Sequence, residues 1–271
     1  MPVSGVDQFL TVVCVIKKTI LFSLLFLVCL TVFLVITVPA GYVWQNVIQP
    51  NTNMRALGIQ VLGVDGSLWD GRAHVRYRHI ESIVDWRVAS EGLAGAQLPL
   101  SVDVRSQAGE ASLILSMGMN QVDLDIHSLT ADLATLSPFF LRQRVRLDGR
   151  VEARDLALSI TPDSILSASG KASWSGGSIA YPVGRTIREP LMPPFRAELQ
   201  TRDDGTIYLG IRDAEAEFDV IEASLTPDGT GLAQVRRRLL DLAGERAPHD
   251  RETDVVFKMK QPDVLTKGLR L

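Results

Sequence analysis

Trp69-Asp-Gly-Arg-Ala-His-Val-Arg-Tyr-Arg78 alternates small or apolar residues with charged or polar ones along its whole length. A period of two marks an extended strand with one buried and one solvated face, because successive side chains leave a strand on opposite sides. Gly71, Ala73, Val75 and Tyr77 then share the face of Trp69, while Asp70, Arg72, His74, Arg76 and Arg78 take the other. The pattern returns in Val84, Trp86 and Val88, in Leu98, Leu100, Val102 and Val104, and in Val122, Leu124 and Ile126.

Turn signals separate these runs: Asp65-Gly66, Ala108-Gly109, Asp148-Gly149, Pro162-Asp163, Asp203-Asp204-Gly205 and Pro227-Asp228-Gly229. Such short connections join antiparallel neighbours, and the clearest hairpin pairs 195–202 with 206–212. Two segments depart from the pattern. Leu129, Leu133 and Leu136 precede Pro138, and Val235, Leu239 and Leu242 precede Gly244, with the spacing of a helical stripe. Both predict short amphipathic helices laid against a sheet. Arg236, Arg237 and Arg238 flank the second stripe, as a solvated helix face or as a contact for acidic lipid.

Before the strands, the residues from Ile20 to Val38 carry no charge. As a helix they span roughly the 30 Å hydrocarbon core of a bilayer. Ser23, Thr31 and Thr37 can return hydrogen bonds to their own helix. Lys17 and Lys18 precede the span and the next charge after it is Arg55, so the positive-inside bias puts the N-terminus in the cytoplasm and exports the rest. A cleaved signal peptide is the competing reading, through Val38-Pro39-Ala40, but the apolar run exceeds the usual signal length of about 7 to 15 residues. The expected fold is therefore mainly β: an N-terminal transmembrane helix followed by an antiparallel, curved or sandwich-like β-sheet domain with two short amphipathic helices. The expected divisions are a cytoplasmic segment 1–19, a transmembrane helix 20–40, a first β unit 41–136, a second 137–262 and a tail 263–271.

Both cysteines, Cys14 and Cys29, precede or lie within the apolar run, so disulfides cannot staple the exported part. That part must bury a core instead. A net charge of −3 and no polybasic stretch exclude a nucleic-acid partner. His74, His79, His127 and His249 are scattered, with no metal-ligand spacing among them. No nucleophile elbow, phosphate loop or dinucleotide fingerprint occurs, so no catalytic residue, metal or cofactor is expected.

Gly66-Ser-Leu-Trp69-Asp-Gly71 recurs loosely as Gly170-Lys-Ala-Ser-Trp174-Ser-Gly176. Two similar sheet units, 59–136 and 145–259, would explain this, either as one continuous curved sheet or as two packed layers. Trp69 and Trp86 read as core anchors on strands, with the glycines permitting close backbone approach; a lipid or protein contact is the alternative for Trp69.

Gly63-Val-Asp-Gly66-Ser-Leu-Trp69-Asp-Gly71-Arg-Ala73, preceded by a short anchor and followed by Val84-Asp-Trp86-Arg-Val88, resembles protein N of the bacterial type II secretion system. The second Gly…Trp segment, at Gly170 and Trp174, fits the same layout; the stretch before Lys17 departs from it. The resemblance implies a bitopic inner-membrane component with a periplasmic β domain, assisting export of folded proteins across the outer membrane through contacts with other secretion components. It implies no catalytic residues, and makes Gly66, Trp69, Gly71, Trp86, Gly170 and Trp174 a structural signature. The wider relation is to AsmA-like envelope proteins, whose sheets curve into grooves. The second functional reading is an AsmA-like or lipopolysaccharide-transport-like envelope protein that binds or shields lipid, phospholipid included, in a β-sheet groove; the many strands and the runs 113–119 and 221–225, apolar on both faces, support it. A membrane-tethered hydrolase is the third and lacks a nucleophile–base pair.

Overall fold

The computed structural model describes residues 22–34, 36–51, 58–89, 98–118, 120–137, 145–162, 164–184, 186–245 and 251–262. Residues 1–19, with Lys17 and Lys18, and the tail 263–271 lie outside the described residues. Residues 22–34 and 36–37 are helical, and Phe22, Phe26, Phe33 and Ile36 are exposed on them. Thr31 and Thr37 donate their hydroxyls back to Leu27 O and Phe33 O, each at 2.8 Å. Among the described residues no helix is both long and apolar enough to cross a membrane. The expected span also includes Ile20, Leu21 and Val35, which are not described.

The alternating runs form one open antiparallel sheet of 13 strands. In chain order they are β1 (Ile59–Gly66), β2 (Asp70–Tyr77), β3 (Ile80–Val88), β4 (Leu98–Ser106), β5 (Gly109–Met117) and β6 (Val122–Asp132). After β7 (Arg146–Leu147) come β8 (Arg150–Ile160) and β9 (Ile165–Trp174). β10 (Gly177–Val183), β11 (Thr186–Arg188) and β12 (Leu191–Met192) join β7 in a small second sheet. β13 (Phe195–Thr201), β14 (Ile207–Asp213), β15 (Ile221–Leu225), β16 (Gly231–Arg236) and β17 (Val255–Gln261) complete the large one. Neighbours in the large sheet are neighbours in sequence once the small-sheet strands are set aside, so it is a meander. β6 and β8 pair from Val122↔Ile160 to Asp132↔Arg150, which joins the two expected units into a single ladder.

Register explains why the sheet stays two-faced. The row Val64, Ala73, Val84, Val104, Ala111, Leu129, Ala153, Ala172, Ala197, Ile211, Ile221, Val235, Phe257 crosses every strand without one polar residue. The next residues on the other face run Asp65, Arg72, Asp85, Asp103, Ser112, Ser128, Arg154, Lys171, Glu198, Gly210, Glu222, Gln234, Lys258. Gly210 is the gap in that row, and the Asp219 carboxylate occupies the space where its Cβ would stand. At about 4.8 Å per strand, the rows run for nearly 60 Å.

Two bulges preserve this separation where the sequence changes phase. In β6 the apolar positions move from Val122, Leu124 and Ile126 to Leu129 and Ala131, and the register slips at His127. In β8 they move from Val151 and Ala153 to Leu156 and Leu158, and the ladder skips Asp155, whose φ is 51°. An extra residue in one strand turns every following side chain to the opposite face, so each bulge returns the apolar set to the common side.

The two helices are shorter than the leucine spacing predicts. The first covers only Leu133–Leu136, with Asp132 accepting a cap bond from Ala134 N at 2.9 Å, and the second only Arg237–Leu242. Leu129 and Val235 belong to the ladder instead, because cross-strand pairing with Ala153 and Phe257 extends their strands into the start of each stripe. The second helix and the small sheet cover one end of the apolar face. There Met192, Phe195 and Val220 form the buried cluster, with Trp174, Ile179, Ile211, Leu239 and Leu242 packed around it. Elsewhere along the large sheet the apolar row is mostly half-buried.

Candidate functional site

Four of the six signature residues meet at the first hairpin. Gly66 and Gly71 are cross-strand partners, and Gly71 faces Trp86 on β3. The turn between them is tight. Ser67 N donates to Asp70 O at 2.8 Å, and the Ser67 hydroxyl accepts from the amides of Trp69 and Asp70 at 3.2 and 3.0 Å. Gly66 holds φ 87°, and a Cβ there would lie 2.6 Å from Asp70 O. The Trp86 indole lies over Gly71, where a Cβ would collide with the ring and stand 2.8 Å from Asp65 O. Trp86 Nε1 donates to Leu68 O at 3.1 Å, and Val88 N donates to Trp69 O at 2.7 Å. The hairpin tip is thus latched to the end of β3.

Gly170 and Trp174 lie on β9 but serve different places. A Cβ on Gly170 would meet Leu156 and Asp155 O, so this glycine makes room for the β8 bulge. Trp174 faces Val151 and Phe195 in the ladder, stacks on the Phe195 ring at 5.8 Å between centroids, and donates Nε1 to Asp148 O at 2.8 Å. Its structural counterpart is Trp86, not Trp69. In both cases the acceptor carbonyl belongs to the residue three before the one facing the tryptophan, Leu68 before Gly71 and Asp148 before Val151. Gly149, at φ 91°, lies so close that a Cβ would stand 2.7 Å from Trp174 Nε1. Asp148 and Gly149 are the residues that sequence reading missed as site residues. The signal was present: Asp-Gly-Arg occurs at 70–72 and again at 148–150, each just ahead of or at the start of the strand the indole spans.

The same first hairpin receives the chain that leaves the apolar N-terminal helix. Pro39 bridges Ser67, and Leu68 N donates to Val38 O at 3.1 Å. Ala40 is buried, and a Cβ on Gly41 would stand 3.2 Å from Val64 O, so the turn Ala40–Val43 lies along the outer side of β1. A bulge at Leu62 breaks the regularity of that strand. The opposite edge differs. Among the described residues nothing pairs with the outer side of β17, where Phe257 is 55 % and Met259 48 % exposed. Between β14 and β17 the apolar face holds an open trough of about 280 Å³ lined by Ile207, Leu209, Ala223, Leu225, Ala233 and Met259.

Electrostatics separates the faces further. Arg72 and Arg105 both bond Asp85, and their hydrogen bonds hold its carboxyl below the usual carboxylate range. Lys171 pairs with Glu198, Arg212 with Glu198 and Asp219, and Arg236 with Glu222 at 2.5 Å. The approach to β17 is held by the densest of these groups. Arg238 bonds Asp213 at 2.8 Å, Glu252 at 3.0 Å and Glu215 at 3.1 Å, and its main-chain N donates to Glu252 O. Burial raises the Asp213 carboxyl, but the Arg238 hydrogen bond and the amides of Glu215 and Ala216 outweigh it and leave the group below its ordinary value. Among the described residues no group of three His, Cys, Asp or Glu side chains could hold a metal ion.

The described residues thus form an open meander with one apolar face, one ion-paired face and nothing paired to the outer side of β17. The family model for type II secretion system protein N matches residues 57–251, and the chain belongs to that family. Its members are components of the type II secretion system, and the family is not known as one of enzymes. Searches of curated proteins and of solved structures return no match.

Proposed function

We propose that this chain is a non-enzymatic, single-pass inner-membrane component of the type II secretion system that assists export of folded proteins through contacts of its periplasmic sheet. Family membership carries the reading, since the family is one of secretion components and is not known as one of enzymes. The charge-free run 20–38, with Lys17 and Lys18 before it, supports an anchor with a cytoplasmic N-terminus and a periplasmic C-terminal domain. In this reading 41–136 and 137–262 work as two consecutive parts of one sheet. Gly66, Trp69, Gly71, Trp86, Gly170 and Trp174 act structurally, fixing turns and strand ends. Among the described residues nothing pairs with the outer side of β17, which supports partner docking by strand addition. The test is secretion itself: cells lacking the chain retain exoproteins in the periplasm, and the full chain restores release. Undiminished secretion in its absence contradicts the reading.

The unbroken apolar row favours a second reading, in which the sheet binds or shields phospholipid. A sheet face that is neither solvated by polar side chains nor covered by a second layer along most of its length suits acyl chains. Mass spectrometry of the purified protein separates the two, because a docking module carries no stoichiometric phospholipid and a lipid-shielding one does.

A further inference from the structure

We propose that the outer edge of β17 takes up one extended segment of another protein, in which acidic residues alternate with apolar ones. The inference rests on the protein-contact reading above and names the chemistry of the partner.

Three observations carry it. First, nothing among the described residues pairs with this edge. From Phe257 to Gln261 the pairing of β17 with β16 is regular, and a regular edge strand presents outward N–H and C=O groups in register for another chain. The strand contains no proline and no charge on its apolar face; its bulge, at Val256, lies before Phe257, and its two lysines stand on the polar face. Second, both rows of the sheet end there unfinished. The apolar row stops at Phe257, with Met259 beside it, and both are half-exposed; the polar row stops at Lys258, with Lys260 beyond it. Third, the charge is uncompensated. Three basic side chains on the polar face find carboxylates on the adjoining strand, in Arg72–Asp85, Lys171–Glu198 and Arg236–Glu222, whereas Arg154 stands opposite Lys171 and Arg196 opposite Arg212. Among the described residues Lys258 and Lys260 have no ion-pair partner. A next strand paired as in those three cases places acids opposite these lysines and apolar residues opposite Phe257 and Met259.

A second copy of this chain fits less well. Two-fold antiparallel pairing about Lys258 sets Lys258 against itself, and pairing about Met259 sets Lys258 against Lys260. Pairing about Phe257 avoids that clash but leaves Lys258 facing Val256. Pairing about Val256 would set Lys258 against Asp254 and Lys260 against Glu252, but 252–254 form the turn before β17, where Arg238 holds Glu252 and Arg237 N donates to Asp254 O, so the occupant is a different chain.

Two labelled hexapeptides test this on the full chain in detergent: Thr-Glu-Val-Glu-Val-Thr and its counterpart with lysine in place of glutamate. Fluorescence anisotropy should show the acidic peptide binding about tenfold tighter or more than the basic one. The double variant Lys258→Glu, Lys260→Glu should reverse the preference while keeping the parent's circular dichroism, since both side chains are exposed. Equal affinities, no binding of either peptide, or a dimer abolished by the double variant would overturn the proposal. A chain that restores secretion yet shows no charge preference overturns this proposal alone and leaves the secretion reading standing.

Discussion

The two ends of the sheet are finished differently. At the first, the chain covers its own edge: residues 40–43 lie along β1, Leu62 bulges, Pro39 bridges Ser67, and the Trp86 indole latches the hairpin tip. At the last, the fastening stops one strand short. Arg238 gathers Asp213, Glu215 and Glu252, and Arg236 donates to Thr253 O at 2.8 Å, so the approach to β17 is fixed while nothing among the described residues covers its outer side. An edge strand is a hazard unless it is covered or used. One end is covered by this chain, and the other, in the proposal above, takes up a different one.

Breaking the fastening at the last end should have the largest effect. Arg238→Ala leaves the Asp213 carboxylate, 1 % exposed, without its cation, and loss of one partner of a buried pair costs about 3 kcal/mol or more. Hydrogen exchange should accelerate first across 251–261 and leave 59–77 protected. Breaking the first end comes next. Gly71→Ala drives a methyl group into the Trp86 ring and toward Asp65 O, an overpacking cost of about 2 kcal/mol. Here exchange should rise in β1, β2 and β3 and stay unchanged in β17. If both variants loosened the whole sheet equally, the two ends would not be separately fastened.

Acid sharpens the comparison. The Asp213 carboxyl titrates below its unfolded value, so its contribution is complete above the ordinary carboxylate range, near pH 4, and is lost as pH falls through the lower folded value. Denaturation followed against pH should therefore show a shallower acid-side decline in Asp213→Asn than in the parent. The smallest effects concern the indoles. Trp86→Phe and Trp174→Phe each remove one hydrogen bond, worth about 1 kcal/mol, to the carbonyls of Leu68 and Asp148. Similar losses from the two variants would bear out the equivalence of the latches. A clearly larger loss at Trp174 would point to its stacking on Phe195 as the greater contribution.

How much of this was legible depended on whether the signal was local. Alternation from Trp69 to Arg78 placed β2 and its faces, and Asp203-Asp204-Gly205 placed the β13–β14 hairpin within a residue. The leucine stripes misled because Leu129 and Val235 satisfy a helical spacing and a strand ladder at once, and cross-strand partners far away in sequence decided for the ladder. The bulges at His127 and Asp155 were hidden for a related reason. A change of phase in one strand has meaning only against the neighbour that must remain in register. Matching tryptophan to tryptophan joined Trp69 with Trp174, whereas the indole that matches Trp174 is Trp86, each bonded to the carbonyl three residues before the one it faces. The two edges were beyond sequence reading altogether, since which strand is outermost follows from the complete strand order.

That contrast can be tested in cells. A photo-crosslinking residue placed at Phe257 and, separately, at Leu62 samples the two edges, both positions being more than half exposed. The account predicts crosslinks to another type II secretion component from Phe257 and none from Leu62. Crosslinks to the same component from both edges, or to lipid alone from Phe257, would contradict it.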